Sequence, residues 1–193
     1  AVEALPETTV ASSFQLYQEL GLRGEVNFPA FEQALKGFSR YASGQDRLFV
    51  LIDYTKPSTE KRFYILDLLQ KKLLLSTYVA HGRGSGDNYA VAFSNRPGSY
   101  QSSLGFFRTG DTYMGKNGYS LFLDGLEKGI NDKARERAIV VHGANYADPA
   151  VLKGQQRLGR SLGCPALPPD ISKQVIDTIK GGVLLYIYGL NKA

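Results

Sequence analysis

Tryptophan is absent from this chain of 193 residues, cysteine and methionine occur once each, and histidine occurs twice. A single cysteine excludes an internal disulfide and any Cys-x-x-Cys metal or redox motif, and it leaves a reducing cytosol and a periplasm equally open. No apolar run approaches the ~20 residues of a membrane-spanning helix. Basic residues cluster no further than the pairs Lys61-Arg62 and Lys71-Lys72, which argues against a nucleic-acid surface even at a formal net charge of +5. That balance suits an anionic polymer or a carboxylate-bearing substrate instead. There is no internal repeat and no low-complexity segment. No signal peptide is visible; the chain opens at Ala1-Val2-Glu3 rather than Met, which fits a processed or a trimmed N-terminus alike.

What is present is ordinary for one globular domain with a real core: 43% hydrophobic and 21% charged residues. Twenty-one glycines, 12 tyrosines and 10 phenylalanines favour a turn-rich fold with much β-structure. Phe14, Tyr17 and Leu20 share a helical face that Gly21 stops, and Phe31, Leu35, Phe38 and Ala42 repeat at 4-3-4 spacing, with Pro29 tolerable in the first turn. After Ser43-Gly44 the period changes to that of strands over 48–52, 62–68 and 73–79, the last two reading as a hairpin. Shorter strands are expected at 105–108 and 119–123, a short helix over Asn131–Glu136, and a strand ending on His142-Gly143. Asp170 is placed to cap a helix through Ile176 and Ile179, which Gly181-Gly182 ends before a final strand over 183–188. The pattern is α+β, with mostly antiparallel strands. It divides into a helical segment over 1–45 and a β-rich domain over 46–193.

The chemistry concentrates in two places. The run Gly159-Arg160-Ser161-Leu162-Gly163-Cys164-Pro165 carries the thiol, and the strand Ala138-Ile139-Val140-Val141 leads into His142-Gly143. A sulfur nucleophile, an imidazole and glycine-bracketed backbone are the parts of a thiol acyl-transfer site. A free thiol is only a few per cent thiolate at neutral pH, so it needs a base or a cation. His142 lies 22 positions upstream and must be brought near by the fold. Pairing with it predicts a thiol pKa well below the ordinary ~8.5. No acid stands nearby, and a backbone carbonyl can hold the imidazole by accepting its Nδ1 proton. Pro165 has no N–H, so oxyanion donors come from Leu162, Gly163 and Cys164.

Each feature has a plainer counterpart. Gly-Cys-Pro also occurs in ordinary turns. His81 is a rival base and equally a structural or substrate-contacting residue. His81, His142 and Cys164 are chemically suitable zinc ligands but lack a local ligand pair. Arg160 is either a solvated arginine or a bidentate partner for a substrate carboxylate, with Lys116 and Arg83 as weaker candidates. Ser161 either forms the turn or supports loop and substrate.

These motifs resemble those of murein L,D-transpeptidases with a YkuD-type catalytic domain, whose pattern is His, a gap, then Ser/Thr-His-Gly-Cys. Leu162 stands here where the second His is usual and Ala166 where Arg or Asn is usual. The chain is more similar to a divergent branch, the murein L,D-transpeptidase catalytic-domain family, with Gly-Arg-Ser-x-Gly-Cys-Pro-Ala. Further blocks match that branch, among them Val79-Ala80-His81-Gly82-Arg83-Gly84-Ser85-Gly86, Tyr113-Met114-Gly115-Lys116-Asn117-Gly118 and Gly125-Leu126-Glu127. The resemblance implies a β-rich catalytic fold over 46–193 behind N-terminal helices, a cysteine acyl-enzyme, and no metal or other cofactor. Its implied substrate is the peptidoglycan stem peptide, cut at the L,D bond before D-Ala, in the periplasm or at the cell wall. Cys164 takes the nucleophile role, His142 the base, Gly143 the orienting carbonyl, and Gly163 with Cys164 the oxyanion donors; Arg160, Ser161 and His81 are the substrate-side candidates. Hydrolysis by the same acyl-enzyme, releasing D-Ala or a peptidoglycan-linked protein, is the nearest alternative. A catalytically silent peptidoglycan-binding module is a third.

Overall fold

A computed structural model describes residues 10–44 and 46–192. Its elements are α1 (Val10–Glu19), α2 (Phe28–Tyr41), β1 (Leu48–Asp53), β2 (Phe63–Asp67), β3 (Lys72–Thr77), β4 (Gly105–Gly115), β5 (Gly118–Gly125), β6 (Val140–Gly143), β7 (Ala166–Leu167), α3 (Pro169–Ile179) and β8 (Leu184–Tyr188). The eight strands form one sheet in the order β3-β2-β1-β8-β4-β5-β6-β7. Pairing is antiparallel except for β1 with β8 and β6 with β7. This is an α+β, β-rich architecture.

The two ends of the sheet meet. Just past β3, Ala80 bridges antiparallel to Ala166 of β7, its N–H donating to the Ala166 carbonyl at 2.8 Å and its carbonyl accepting from the Ala166 N–H at 3.2 Å. The closure rests on this bridge, since β3 itself pairs with β2 alone among the described residues. It creates a seam, where β7 is only two residues long and irregular chain crosses over.

Alternation along the strands buries both faces. In β1, Val50 and Ile52 join Phe107, Leu121, Leu123 and Val141 beneath Val175, Ile176 and Ile179 of α3. Phe49 and Leu51 point the other way, onto Tyr17 and Leu20 of α1 and Phe31, Leu35 and Phe38 of α2. The N-terminal helices therefore share a core with the sheet; residues 1–9 and 45 of the expected helical segment lie outside the described residues. Gly21 ends α1 in a left-handed conformation at φ 68°, as a C-terminal glycine does.

Three local expectations are corrected. Residues Asn131–Glu136 form turns rather than a helix. The Asn131 side chain accepts from the Glu127 N–H and donates to the carbonyls of Leu104 and Phe106, so local backbone geometry serves those bonds. Asp170 sits inside the first turn of α3, behind Pro168 and Pro169, and does not cap it. The strand expected at 105–108 runs on to Gly115, the two halves of the hairpin pairing as far as Gly115 with Gly118.

Phe31 is fully buried, its ring 5.7 Å from that of Tyr17. Phe31→Ala should cost about 3–5 kcal/mol through lost burial and the cavity left behind. Urea unfolding should show this in one transition; a loss below about 1 kcal/mol, or a separate early transition, would mean that the helices do not share the cooperative core.

Candidate active site

Cys164 lies at the seam, 8% exposed. Its thiol donates to the Ala138 carbonyl at 3.3 Å, and its sulfur accepts the Val140 N–H at 3.4 Å. Ala138 adopts φ 54°, unusual for a residue with a Cβ. Burial pushes the thiol pKa up, and the Val140 N–H and the Arg137 guanidinium only partly offset it. The expected thiolate of low pKa is therefore corrected: in this arrangement desolvation wins and the sulfur rests protonated.

His142 stands on β6 opposite Ala166 of β7, two residues past the cysteine. The parallel pairing thus turns a separation of 22 positions into adjacent strands. Its Nδ1 lies 2.9 Å from the Gly143 carbonyl. A carbonyl can only accept, so Nδ1 carries the proton and the Nε2 lone pair is left open. Burial lowers the imidazole pKa, with the Gly143 carbonyl opposing it, and the ring is neutral at physiological pH. Among the described residues no hydrogen bond joins the imidazole to the thiol. Gly143 itself has no room for a side chain, because α3 presents Ser172 against it.

The cysteine loop is stapled by Ser161. Its hydroxyl donates to the Cys164 carbonyl at 2.6 Å and accepts the Gly163 N–H at 3.1 Å. Gly163, at φ 128°, occupies backbone space that disfavours other residues. Of the two amides expected to serve an oxyanion, Gly163's is already taken, whereas the Cys164 N–H has no partner among the described residues. Ser161 is buried, and both hydrogen bonds of its hydroxyl stay inside the loop.

His81 is also corrected. It is 1% exposed and lies beneath the seam. Arg62 Nη2 donates to its Nδ1 at 2.9 Å, and its Nε2 faces the Gly86 carbonyl at 3.2 Å, so both nitrogens are occupied. Burial and the Arg62 charge drive its pKa down to about 3. Such a ring neither takes a proton at neutral pH nor reaches a substrate. Its backbone carbonyl instead accepts the Ser161 N–H at 2.9 Å, and Gly82 bridges parallel to Ser161. A Cβ on Gly82 would stand 2.5 Å from the Tyr100 carbonyl oxygen and 2.9 Å from the Gly163 Cα, so only glycine lets these strands of chain cross.

Arg160 alone of the three substrate-side candidates carries its functional group to the surface. Its Nη1 lies 3.2 Å from an oxygen of Asp87, which is 85% exposed. Leu162, in the loop, is 54% exposed. Among the described residues no group of three or more His, Cys, Asp or Glu side chains could hold a metal ion, and no helix is long and apolar enough to cross a membrane.

Sequence reasoning missed Arg137, Tyr54 and Tyr146, whose electrostatics involve the thiol, and Arg62, which binds His81 beneath the seam. Tyr54 and Tyr146 have phenol pKa values pushed to about 12, by burial first, with the cysteine charge among the further causes. Arg62 had one visible signal, a cation heading the apolar run Phe63-Tyr64-Ile65-Leu66.

With this geometry in view, comparison with known proteins is informative. A model of the L,D-transpeptidase catalytic domain matches residues 22–188, and the chain belongs to that family. No curated protein matches it. Among solved structures, a mutant form of the helical cell shape determining protein from Campylobacter jejuni superposes with a TM-score of 0.51 at 16% identity, covering 77% of this chain and 49% of that one. An L,D-transpeptidase from Stackebrandtia nassauensis gives 0.46 at 14% identity, covering 95% and 78%. One from Mycobacterium smegmatis gives 0.45 at 12%, covering 74% and 59%. The chain thus spans between 49% and 59% of the length of the Campylobacter and Mycobacterium chains.

The depressed His81 pKa has a consequence for stability. The folded ring resists protonation, whereas the unfolded one takes a proton near pH 6.5. The stabilisation is complete above the unfolded value and is lost as pH falls from about 6.5 towards 3. Wild type should lose roughly 3 kcal/mol between pH 7 and 4 through this group. His81→Asn should flatten that part of the urea-unfolding profile. An unchanged acid slope would mean that His81 is not the buried neutral ring described.

Proposed function

We propose that this chain is a cysteine L,D-transpeptidase acting on peptidoglycan stem peptides through a thioester acyl-enzyme. The observation that carries this reading is the tautomer of His142. With Nδ1–H committed to the Gly143 carbonyl, Nε2 keeps an open lone pair on the strand paired with β7, and the only thiol of the chain lies two residues before β7.

Nε2 takes the Cys164 proton as the sulfur attacks the carbonyl carbon of the bond preceding D-Ala. The Cys164 N–H faces the developing oxyanion. The tetrahedral intermediate collapses, the D-Ala amine leaves with the proton from His142, and a thioester remains. An acceptor amine then gives its proton to Nε2 as it attacks, and the thiolate departs to be reprotonated. Water in the acceptor's place gives the hydrolase. The neutral imidazole suits the first proton transfer, and the buried site strengthens each electrostatic contact. Arg160 is the residue through which a substrate carboxylate exchanges for Asp87. The reading places the protein in the cell-wall compartment.

The test is mass spectrometry of purified disaccharide-tetrapeptides incubated with wild type and Cys164→Ala. Wild type should release D-Ala and form dimers joined through two third-position residues, and the alanine variant should do neither while still unfolding in one cooperative urea transition. Tripeptides without dimers would give the hydrolase. Identical spectra for both proteins would leave a binding module.

A further inference from the structure

The thiol has a cationic neighbour that the mechanism above does not use. Arg137 lies in the turn leading into β6, next in the chain to Ala138, whose carbonyl accepts the thiol proton. From the other side it reaches the residue before the cysteine: a Cβ on Gly163 would stand 3.5 Å from Arg137 Nη2. The guanidinium thus lies against the residue before the cysteine, and its own backbone runs straight into the carbonyl on which the thiol rests.

Its hydrogen bonds fix it there. Nη1 donates to the Ser94 carbonyl at 2.8 Å and the Ser103 hydroxyl at 2.7 Å. Nη2 donates to the Ser99 hydroxyl at 3.0 Å and the Gln101 carbonyl at 2.8 Å. All four acceptors are neutral. Among the described residues no carboxylate lies within ion-pair distance of Arg137. A half-buried arginine with four good hydrogen bonds and no countercharge is uncommon, because desolvating a cation costs free energy that an anion ordinarily offsets.

The other titratable groups of the site are Tyr54, beyond β1, and Tyr146, beyond β6, which both feel the cysteine charge, and His142 on the adjacent strand β6. Both phenols are held neutral, and so is the imidazole. Arg137 is therefore the fixed charge among them. The relation is reciprocal: burial lowers the Arg137 pKa, and a charge on Cys164 is what raises it.

We propose that Arg137 is a positioning residue of the thiol site, whose unpaired guanidinium behind Gly163 supplies the countercharge for the Cys164 thiolate. The use of that thiolate in catalysis rests on the function proposed above; the charge effect itself does not. When the thiol proton passes to His142, the negative charge left on sulfur meets a cation already in place, with no reorganisation needed. Arg137 also ties Ser94, Ser99, Gln101 and Ser103 against the back of the cysteine loop, so its position is set by a long segment rather than by its neighbours in sequence.

The experiment is alkylation of Cys164 by iodoacetamide, in which the thiolate displaces iodide, followed by intact mass from pH 6 to 9. The reagent is neutral, so it is not steered by charge, and the single thiol makes every such thiol adduct unambiguous. Arg137→Gln should slow alkylation about tenfold at pH 7.5, the change expected for one unit of thiol pKa. Arg137→Lys, which keeps the charge, should stay within about threefold of wild type. A purely structural clamp predicts the opposite sign, since a loosened loop exposes a buried sulfur and both variants then react faster. Faster or unchanged alkylation in Arg137→Gln overturns the proposal, as does an Arg137→Lys that slows as much as Arg137→Gln. Should Arg137→Gln not fold, Arg137→Lys decides alone: a rate near wild type supports the charge role, and a marked change of either sign overturns it. None of these outcomes depends on peptidoglycan, so a negative muropeptide result leaves this test standing, and the converse holds.

Discussion

The site depends on one buried cation. Arg62 is fully buried, with Nε and Nη2 donating to the Val79 carbonyl at 3.0 and 2.6 Å, Nη1 to the Lys56 carbonyl at 3.0 Å, and Nη2 also to His81. Its guanidinium carbon lies 4.8 Å from the centre of the Tyr54 ring. Burial lowers its pKa to about 10, which still leaves it charged at neutral pH. A cation in this position must spend its donors well, because an unpaired one is costly. It spends them on Val79 and His81, the residues flanking Ala80, and Ala80 forms the bridge that closes the sheet. The guanidinium therefore fixes the segment against which the cysteine loop is laid.

From that segment outward the geometry follows by hydrogen bonding. Ala80 pairs with Ala166, the His81 carbonyl accepts the Ser161 N–H, and the Ser161 carbonyl accepts the Arg83 N–H. Ser161 then staples Gly163 and Cys164. The thiol is thereby attached to the seam of a nearly closed sheet, where β7 is only two residues long and irregular chain crosses over. Along the long strands most backbone groups enter ladders; at the seam the Cys164 amide has no partner among the described residues. Closure and an open amide are two results of the same topology.

Much of this was legible in the chain, for identifiable reasons. The β1 strand and the helical faces of Tyr17 and Phe31 could be read because burial imposes a period on sequence. Cys164 and His142 stood out because their residue types are scarce here and their neighbours are glycines. Arg137 was not legible, and two others were legible only in part, Arg62 as a cation heading an apolar run and Ser161 as a turn former or support of loop and substrate. Their partners, Val79 and His81 for one and Ser94 to Ser103 for another, lie far off in sequence, and any surface arginine has the same local pattern. Asn131 was misread for a related reason. Helical propensity over Asn131–Glu136 is local, whereas the bonds from its amide to Leu104 and Phe106 are not, and the non-local bonds won.

The two histidines make the same point in chemical terms. Both are buried, and burial lowers both pKa values, His81's as far as about 3 with the Arg62 charge adding to it. What separates them is the nature of the partner at Nδ1. Arg62 can only donate, so it takes the His81 lone pair and pushes the proton to Nε2, where the Gly86 carbonyl accepts it. The Gly143 carbonyl can only accept, so it takes the proton of His142 and leaves a lone pair at Nε2. A donor beside one ring makes it part of the frame, and an acceptor beside the other leaves its Nε2 lone pair open. The sequence offers two imidazoles near glycines; the assignment between them is made by a guanidinium and a carbonyl whose placement only the fold decides.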